Sequence, residues 1–148
     1  GIAMALSEKP DEMTVTVHMC RGNFQSSWIA EGGYEPVAEI MFSEVPVDGF
    51  FMEWDTDRAG DFEPLRFAPT DKIIVLGLVS TKVPLLETKD ELIKRIEDAA
   101  SYIPLENLCL SPQCGFASMV IGNNITEEDQ WRKLNLVAEI AEEVWGSA

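Results

Sequence analysis

The sequence predicts an α/β protein built on a parallel sheet, and three observations support this. Segments with strand character alternate with segments of helical periodicity along the 148 residues. Residues 73–79 form a continuous apolar run, which is typical of a strand buried on both faces. The two clearest helices each begin with a capping signal and carry an apolar face. Four such alternations favour right-handed βαβ units in one sheet, as in half of a (β/α)₈ barrel or in a self-contained four-stranded domain.

The first strand and its surroundings occupy the beginning of the chain. Residues 1–7 have the composition of the last turns of a helix, so we expect the chain to start within a larger fold. Residues 13–20 alternate Val and Thr and predict a strand. The loop that follows is expected to contain a short helix at residues 27–30.

The second and third units follow. A helix opening at Glu35-Pro36 is expected to place these residues on one face: Val37, Ile40, Met41 and Glu44. Residues 49–54 are apolar and aromatic and predict the second strand. The acidic segment 55–68 predicts a loop with a short helix, and residues 73–79 predict the third strand.

The last two helices are the best defined. Thr88 and Glu91 form a capping box, and one apolar face follows: Leu92, Ile93, Ile96, Ala99, Ala100 and Ile103. Residues 108–112 predict the fourth strand. Thr126 caps a last helix that Gly146 ends, with the expected apolar stripe Trp131, Leu134, Val137, Ala138, Ala141, Val144 and Trp145.

Composition excludes several classes of function. The net charge of −15 and pI near 4.3 oppose a nucleic-acid footprint and docking on an anionic membrane. No apolar run approaches the ~20 residues of a membrane span, and we identify no secretory signal. Three cysteines do not form a disulfide framework and suit a reducing cytoplasm.

Potential metal ligands fall at the ends of three predicted strands. His18 and Cys20 leave the same face of the first strand, Glu53 ends the second, and Cys114 follows the fourth. Because carboxyl ends of parallel strands meet at one rim, these side chains can converge into a zinc set. Each has a structural alternative: the histidine and cysteines are common in cores, whereas Glu53 would be costly to bury without a partner.

Other polar residues near these ends are assigned no role in the site. Cys109, between two leucines, is expected to point into the core. The acidic loop that follows the second strand contains Asp55, Asp57, Arg58 and Asp61. These residues could contact substrate, but we favour a solvated loop.

The charge of this ligand set indicates its chemistry. Two thiolates and one carboxylate around Zn²⁺ give a centre of about −1, which is a weak Lewis acid. Such a centre suits the binding of an external thiol as a nucleophilic thiolate. We therefore predict alkyl transfer to sulfur, with Glu53 as the ligand that yields when the thiol arrives.

Four segments resemble the carboxyl-terminal catalytic domain of cobalamin-independent methionine synthases: residues 17–23, 51–55, 76–82 and 111–115. Residues 131–146 are similar to the end of the shorter, single-barrel relatives. The resemblance implies a (β/α)₈ barrel of which this chain is the second half. It also implies zinc held by His18, Cys20, Glu53 and Cys114, with homocysteine as the thiol and a methyltetrahydrofolate-like methyl donor. The long enzymes have Ile-His-Ser where this chain has Val79 before Ser80, which favours the short relatives.

Three functions are therefore expected as candidates. The first is a zinc-dependent S-methyltransferase that makes methionine from homocysteine. The second is an alkyltransferase for another thiol, such as coenzyme M. The third is an interaction module without an active centre. If the chain is a half barrel, we expect it to be inactive alone and to self-associate through its open sheet edge.

Overall fold

The computed structural model describes residues 1–147 and contains one four-stranded sheet. All strand pairs are parallel, in the spatial order β1-β2-β3-β4. The strands are β1 (Thr16–Met19), β2 (Gly49–Glu53), β3 (Ile73–Val79) and β4 (Leu108–Pro112). The predicted parallel α/β architecture is confirmed, and only β1 is much shorter than expected.

One helix, α1 (Ile2–Ala5), precedes the strands, and three connect or follow them: α2 (Ala38–Glu44), α3 (Lys89–Ala100) and α4 (Glu127–Trp145). Short 3₁₀ turns cover Asp57–Ala59, Glu63–Phe67 and Leu105–Asn107. Both predicted caps are present, since the Thr88 side chain accepts from the Glu91 amide and Thr126 forms a reciprocal capping box with Asp129. None of the helices within residues 1–147 is long and apolar enough to span a membrane.

The two faces of the sheet have different environments. The strand register aligns four residues, one from each strand, on the face that the helices cover: Val17, Phe50, Ile74 and Leu108. Val17 is half-buried, and the other three are fully buried. The next residue of each strand points to the opposite face: His18, Phe51, Val75 and Cys109. Val75 is buried, and the other three are exposed to solvent. We call this second surface the open face. Cys109 was predicted to enter the core, and this is wrong because Leu108 takes the helix side.

Two predictions about the first half of the chain are also wrong. The buried residues of α2 are Ala38, Met41 and Phe42, which share a face by helical spacing. Val37 and Ile40 are exposed instead. No helix forms at residues 27–30. Ser27 instead closes a tight turn with Phe24, with backbone N–O distances of 2.7 and 2.9 Å.

The apolar stripe of α4 is rotated from its predicted position. Trp131 is exposed, and the buried positions are Lys133, Leu136 and Ile140. A lysine in the buried line hides the true helical pattern from a count of apolar residues. For α3 the expected face is correct, since Leu92, Ile96, Ala99 and Ile103 are all buried.

Candidate metal centre

His18, Cys20 and Cys114 come together at the carboxyl-end rim of the sheet. One ligand atom from each lies within 4.8 Å of the others, and Cys114 Sγ is 3.6 Å from His18 Nε2. One imidazole nitrogen and two sulfurs are donors that zinc prefers in proteins. The donor set and its spacing therefore fit a zinc ion.

The contact between His18 and Cys114 requires a strongly curved sheet. The two residues belong to β1 and the end of β4, which are the outer strands. Neighbouring strands lie about 4.8 Å apart, so across a flat sheet these strands would be separated by roughly 14 Å. Side chains of this size meet only if the sheet curls toward the open face.

Local backbone geometry aims Cys114 at the cluster. The register of β3 and β4 shifts between Gly77 and Val79, and the Gln113 amide then donates to the Val79 carbonyl oxygen at 2.8 Å. Cys114 follows with φ of +61°, a left-handed conformation that is uncommon for a residue with a side chain. Strained backbone of this kind concentrates at functional sites.

The proton equilibria of the cluster are compatible with metal binding. Burial lowers the pKa of His18, so its imidazole is neutral near pH 7 and can donate a lone pair. Burial, and next a hydrogen bond with Cys20, raise the pKa of Cys114 to about 12. Without a metal Cys114 is thus a thiol, and a binding metal must displace its proton.

Glu53, the fourth predicted ligand, lies on the same face but is held by cations. Its side chain is completely buried. One carboxylate oxygen accepts from the Arg21 backbone amide at 2.6 Å. The other is bonded to the Arg58 guanidinium and lies 3.3 Å from Lys82 Nζ. The carboxylate also acts electrostatically on the cluster, since it raises the pKa of His18 against the larger effect of burial.

Asp55 and Arg58 belong to the site and not to a solvated loop, so that expectation is wrong for these two residues. Asp55 is 2.9 Å from Lys82 Nζ and 3.4 Å from Arg58. The side chains of Asp55, Arg58 and Lys82 are at least nine-tenths buried. The cost of burying Glu53 was a signal that cations must be near it, but the sequence does not say which ones.

Tyr34 joins the carboxyl ends of β1 and β2. Its hydroxyl donates to the Met19 carbonyl oxygen at 2.7 Å and accepts from the Glu53 amide at 2.7 Å. The Arg21 guanidinium stacks 4.2 Å above its ring. The role of Tyr34 could not be predicted from the sequence, because a tyrosine in a Gly-rich loop carries no periodic signal.

A buried lysine anchors the loop that carries Lys82. Lys133 of α4 is fully buried and bonds to the Leu85 carbonyl oxygen and to Glu87, whose carboxylate lies 2.8 Å from Nζ. The other oxygen of Glu87 accepts from the Ser80 amide at 2.8 Å. The loop after β3 is therefore tied to the last helix on one side and to Glu53 and Asp55 on the other.

The fold and the site define a class of protein: a parallel α/β protein with a sulfur-rich cluster at the carboxyl ends of its strands whose donors could hold a metal ion. Residues 2–142 match the family model described as cobalamin-independent synthase, catalytic domain. The chain belongs to this family, which confirms the resemblance found in the sequence.

Several curated proteins are similar to this chain. Two uncharacterized proteins of Bacillus subtilis (strain 168), YxjG and YxjH, are 54% and 51% identical over 142 residues, or 95% of this chain. The match spans 38% of each of those proteins. A 5-methyltetrahydropteroyltriglutamate–homocysteine methyltransferase of Bacillus licheniformis is 24% identical over 76% of this chain and 13% of its own length.

Two solved structures share the fold. A putative vitamin-B12-independent methionine synthase from Listeria monocytogenes is 36% identical, with a TM-score of 0.72, over 99% of this chain and 39% of its own. A B12-independent methionine synthase from Shewanella sp. W3-18-1, solved with selenomethionine, is 18% identical, with a TM-score of 0.71, over 92% and 40%. The chain thus spans about two fifths of each.

Proposed function

We propose that this chain is the zinc-binding half of an enzyme that transfers a methyl group to the thiol of homocysteine and so forms methionine. The observation that carries the proposal is the convergence of His18, Cys20 and Cys114 at one rim in a member of this family. The names of two relatives support the substrates, since one is a homocysteine methyltransferase and another was solved with selenomethionine.

In this proposal His18, Cys20 and Cys114 hold zinc, and Glu53 is the fourth ligand. The ion would lower the pKa of the bound substrate thiol, so that a thiolate is present at neutral pH. The hard carboxylate of Glu53 is the weakest of these donors for zinc and would be the ligand that yields to a substrate sulfur. Lys82 and Arg58 already contact Glu53, so the carboxylate has cationic partners when it is not a ligand.

The buried charges beside the cluster favour the binding of an anionic substrate group. Two carboxylates, Glu53 and Asp55, face three cations, Arg21, Arg58 and Lys82. The surplus positive charge offsets part of the negative charge that two cysteine thiolates and a substrate thiolate bring. These cations would therefore help to stabilise the substrate sulfur as an anion. Because the metal centre itself would be a weak Lewis acid, the sulfur would remain nucleophilic.

We further propose that residues 1–148 are one domain that forms the carboxyl-terminal half of a (β/α)₈ barrel. The sheet is covered by helices on one face only, whereas parallel sheets are normally covered on both. Its curvature brings β1 toward β4, as closure of a barrel requires. The relatives have more than half of their length outside the match, which is enough chain to supply the other strands.

This arrangement predicts that the isolated chain self-associates. The open face exposes Phe51 and Ile73, and both β1 and β4 have an unpaired edge. Light scattering should give a mass above that of a 16.5-kDa monomer, together with no methyl transfer, because the orientation of the substrates would also need the loops of the other half barrel. A compact, stable monomer would contradict the half barrel.

Transfer to another thiol, such as coenzyme M, is the second candidate. The relatives at 51–54% identity are uncharacterized, whereas identity to the homocysteine enzyme is only 24%. A third candidate, an interaction module without chemistry, draws on the open face alone. It predicts that no metal is retained.

Metal analysis with thiol titration of the complete protein tests the proposal. We expect about one zinc per chain and an X-ray absorption edge that gains a sulfur ligand when homocysteine is added. Methionine should form with a methyltetrahydrofolate donor. A gain of sulfur with coenzyme M but not with homocysteine would favour the second candidate. Absence of zinc would contradict both enzymatic candidates.

A further inference from the structure

Gln113 lies beside the cluster of His18, Cys20 and Cys114 and has no role in the ligand set. It lies between Pro112 and Cys114 at the end of β4, and its polar side chain is only 1% exposed. A buried amide is costly unless it is hydrogen-bonded. Its Nε2 lies 2.9 Å from the Cys114 sulfur.

The direction of this hydrogen bond follows from chemistry. A metal-bound cysteine is a thiolate, which has no proton to donate and can only accept. The amide group of Gln113 has two N–H donors. With a metal bound, the contact would be an N–H···S⁻ bond of the charge-assisted kind, which is stronger than a bond between neutral groups.

The surroundings hold the Gln113 amide in this place. The backbone N–H of Gln113 donates to the Val79 carbonyl oxygen, and the backbone carbonyl oxygen of Gln113 accepts from the Thr81 hydroxyl. The side chain lies over Gly77: a methyl group there would collide with the Gln113 amide oxygen and lie 2.7 Å from the Met52 carbonyl oxygen. Gly77 therefore leaves the space that the amide fills.

The two sulfurs of the cluster differ in how they are solvated. Cys20 Sγ accepts from the Gly22 backbone amide at 3.4 Å, a donor that no side-chain substitution removes. The amide donor to Cys114 is a side chain, so the substitution of one residue can remove it.

We propose that Gln113 is a positioning residue that orients Cys114 and weakens its donation to the metal through an N–H···S⁻ bond, in a space that Gly77 provides. This inference rests on the proposed metal site. Hydrogen-bonding partners of metal ligands are typically worth 10–100-fold in metal affinity. By withdrawing charge from Cys114, the amide leaves the metal more able to take up a further sulfur.

Cobalt binding to the purified protein tests this role, because Co²⁺ reports on thiolate ligands by colour. Gln113→Met keeps the length and packing of the side chain but removes the donor. We expect its Co²⁺ affinity to fall about 10–100-fold, because the loss of a fixed Cys114 orientation outweighs the stronger donation of a thiolate without its hydrogen bond. The sulfur-to-cobalt charge-transfer band should move to longer wavelength, because a thiolate without its hydrogen bond is more easily oxidised. Loss of packing alone would not produce this shift.

Two further variants complete the experiment. Gln130→Met in α4 is the matched control, since no side-chain hydrogen bond forms at Gln130 within residues 1–147, and it should leave affinity and spectrum unchanged. Gly77→Ala should reproduce the spectral shift by displacing the amide. Because the added methyl group also meets the Met52 carbonyl oxygen, the position of the charge-transfer band and not the affinity is the measurement for this variant. Circular dichroism confirms folding, and Gln113→Leu replaces Gln113→Met if that variant does not fold.

The outcomes separate the inference from the proposed function. If the parent protein binds Co²⁺ with a charge-transfer band but Gln113→Met behaves in the same way, the role of Gln113 is wrong and the metal site stands. If the parent protein binds no Co²⁺, the metal site itself is wrong, and the inference falls with it.

Discussion

Replacement of Cys20 or Cys114 by serine is expected to abolish zinc binding and, in the complete protein, methyl transfer. Each sulfur supplies one of the three donor atoms that lie within 4.8 Å of one another. A hydroxyl is a much poorer zinc ligand than a thiolate. Loss of a hydrogen-bonding partner of a ligand already costs 10–100-fold in affinity, so loss of the ligand should cost more than about 100-fold. Equilibrium dialysis and elemental analysis measure the effect.

Cys109→Ser provides the matched control for these variants. Cys109 is the third cysteine and shares the open face in the row of His18, but it is not part of the metal cluster. This variant should retain one zinc. Equal zinc content in all three serine variants would contradict the assignment of the site and would favour the interaction module.

Replacement of Glu53 by alanine is expected to destabilise the protein as well as weaken its metal site. The change leaves Arg21, Arg58 and Lys82 buried with Asp55 as their remaining carboxylate. Removal of one partner from a buried ion pair typically costs about 3–5 kcal/mol. Urea unfolding of the metal-free protein should show this loss, which separates the structural role of Glu53 from its role as a ligand.

Glu35→Ala is the control for the loss of charge. Glu35 also pairs with an arginine, Arg66, at 2.5 and 2.8 Å, but on the surface. Exposed ion pairs contribute little to stability because water and salt screen them, so this variant should unfold close to the parent. If Glu53→Ala unfolds at the same urea concentration as Glu35→Ala, the buried charge network does not stabilise the fold.

The sheet could be predicted from sequence because its signals are local. The apolar run of β3 and the capping residues Thr88 and Thr126 each specify an element without reference to the rest of the chain. His18 and Cys20 could be paired for the same reason, since strand geometry fixes their common face. Cys114 follows from the rule that strand ends meet at one rim, and the structure brings it to the other two.

The charged half of the site could not be predicted in this way. Arg21, Arg58 and Lys82 stand in three different loops, and only the folded sheet brings them to Glu53. The burial of Glu53 required a cationic partner, but several lysines and arginines of the chain were equally eligible. Lys133 was misleading for a different reason: a charged residue normally indicates a surface position, but Lys133 lies in the core.

The bond from Lys133 to Glu87 couples two regions that are far apart in the chain. Local opening of a protein proceeds in cooperative units, and this ion pair places the last helix and the loop after β3 in the same unit. Unwinding of α4 would release Glu87, then the Ser80 amide, and with them the loop that presents Lys82 to Glu53. Amide hydrogens of that loop should therefore exchange with solvent at the rate of α4.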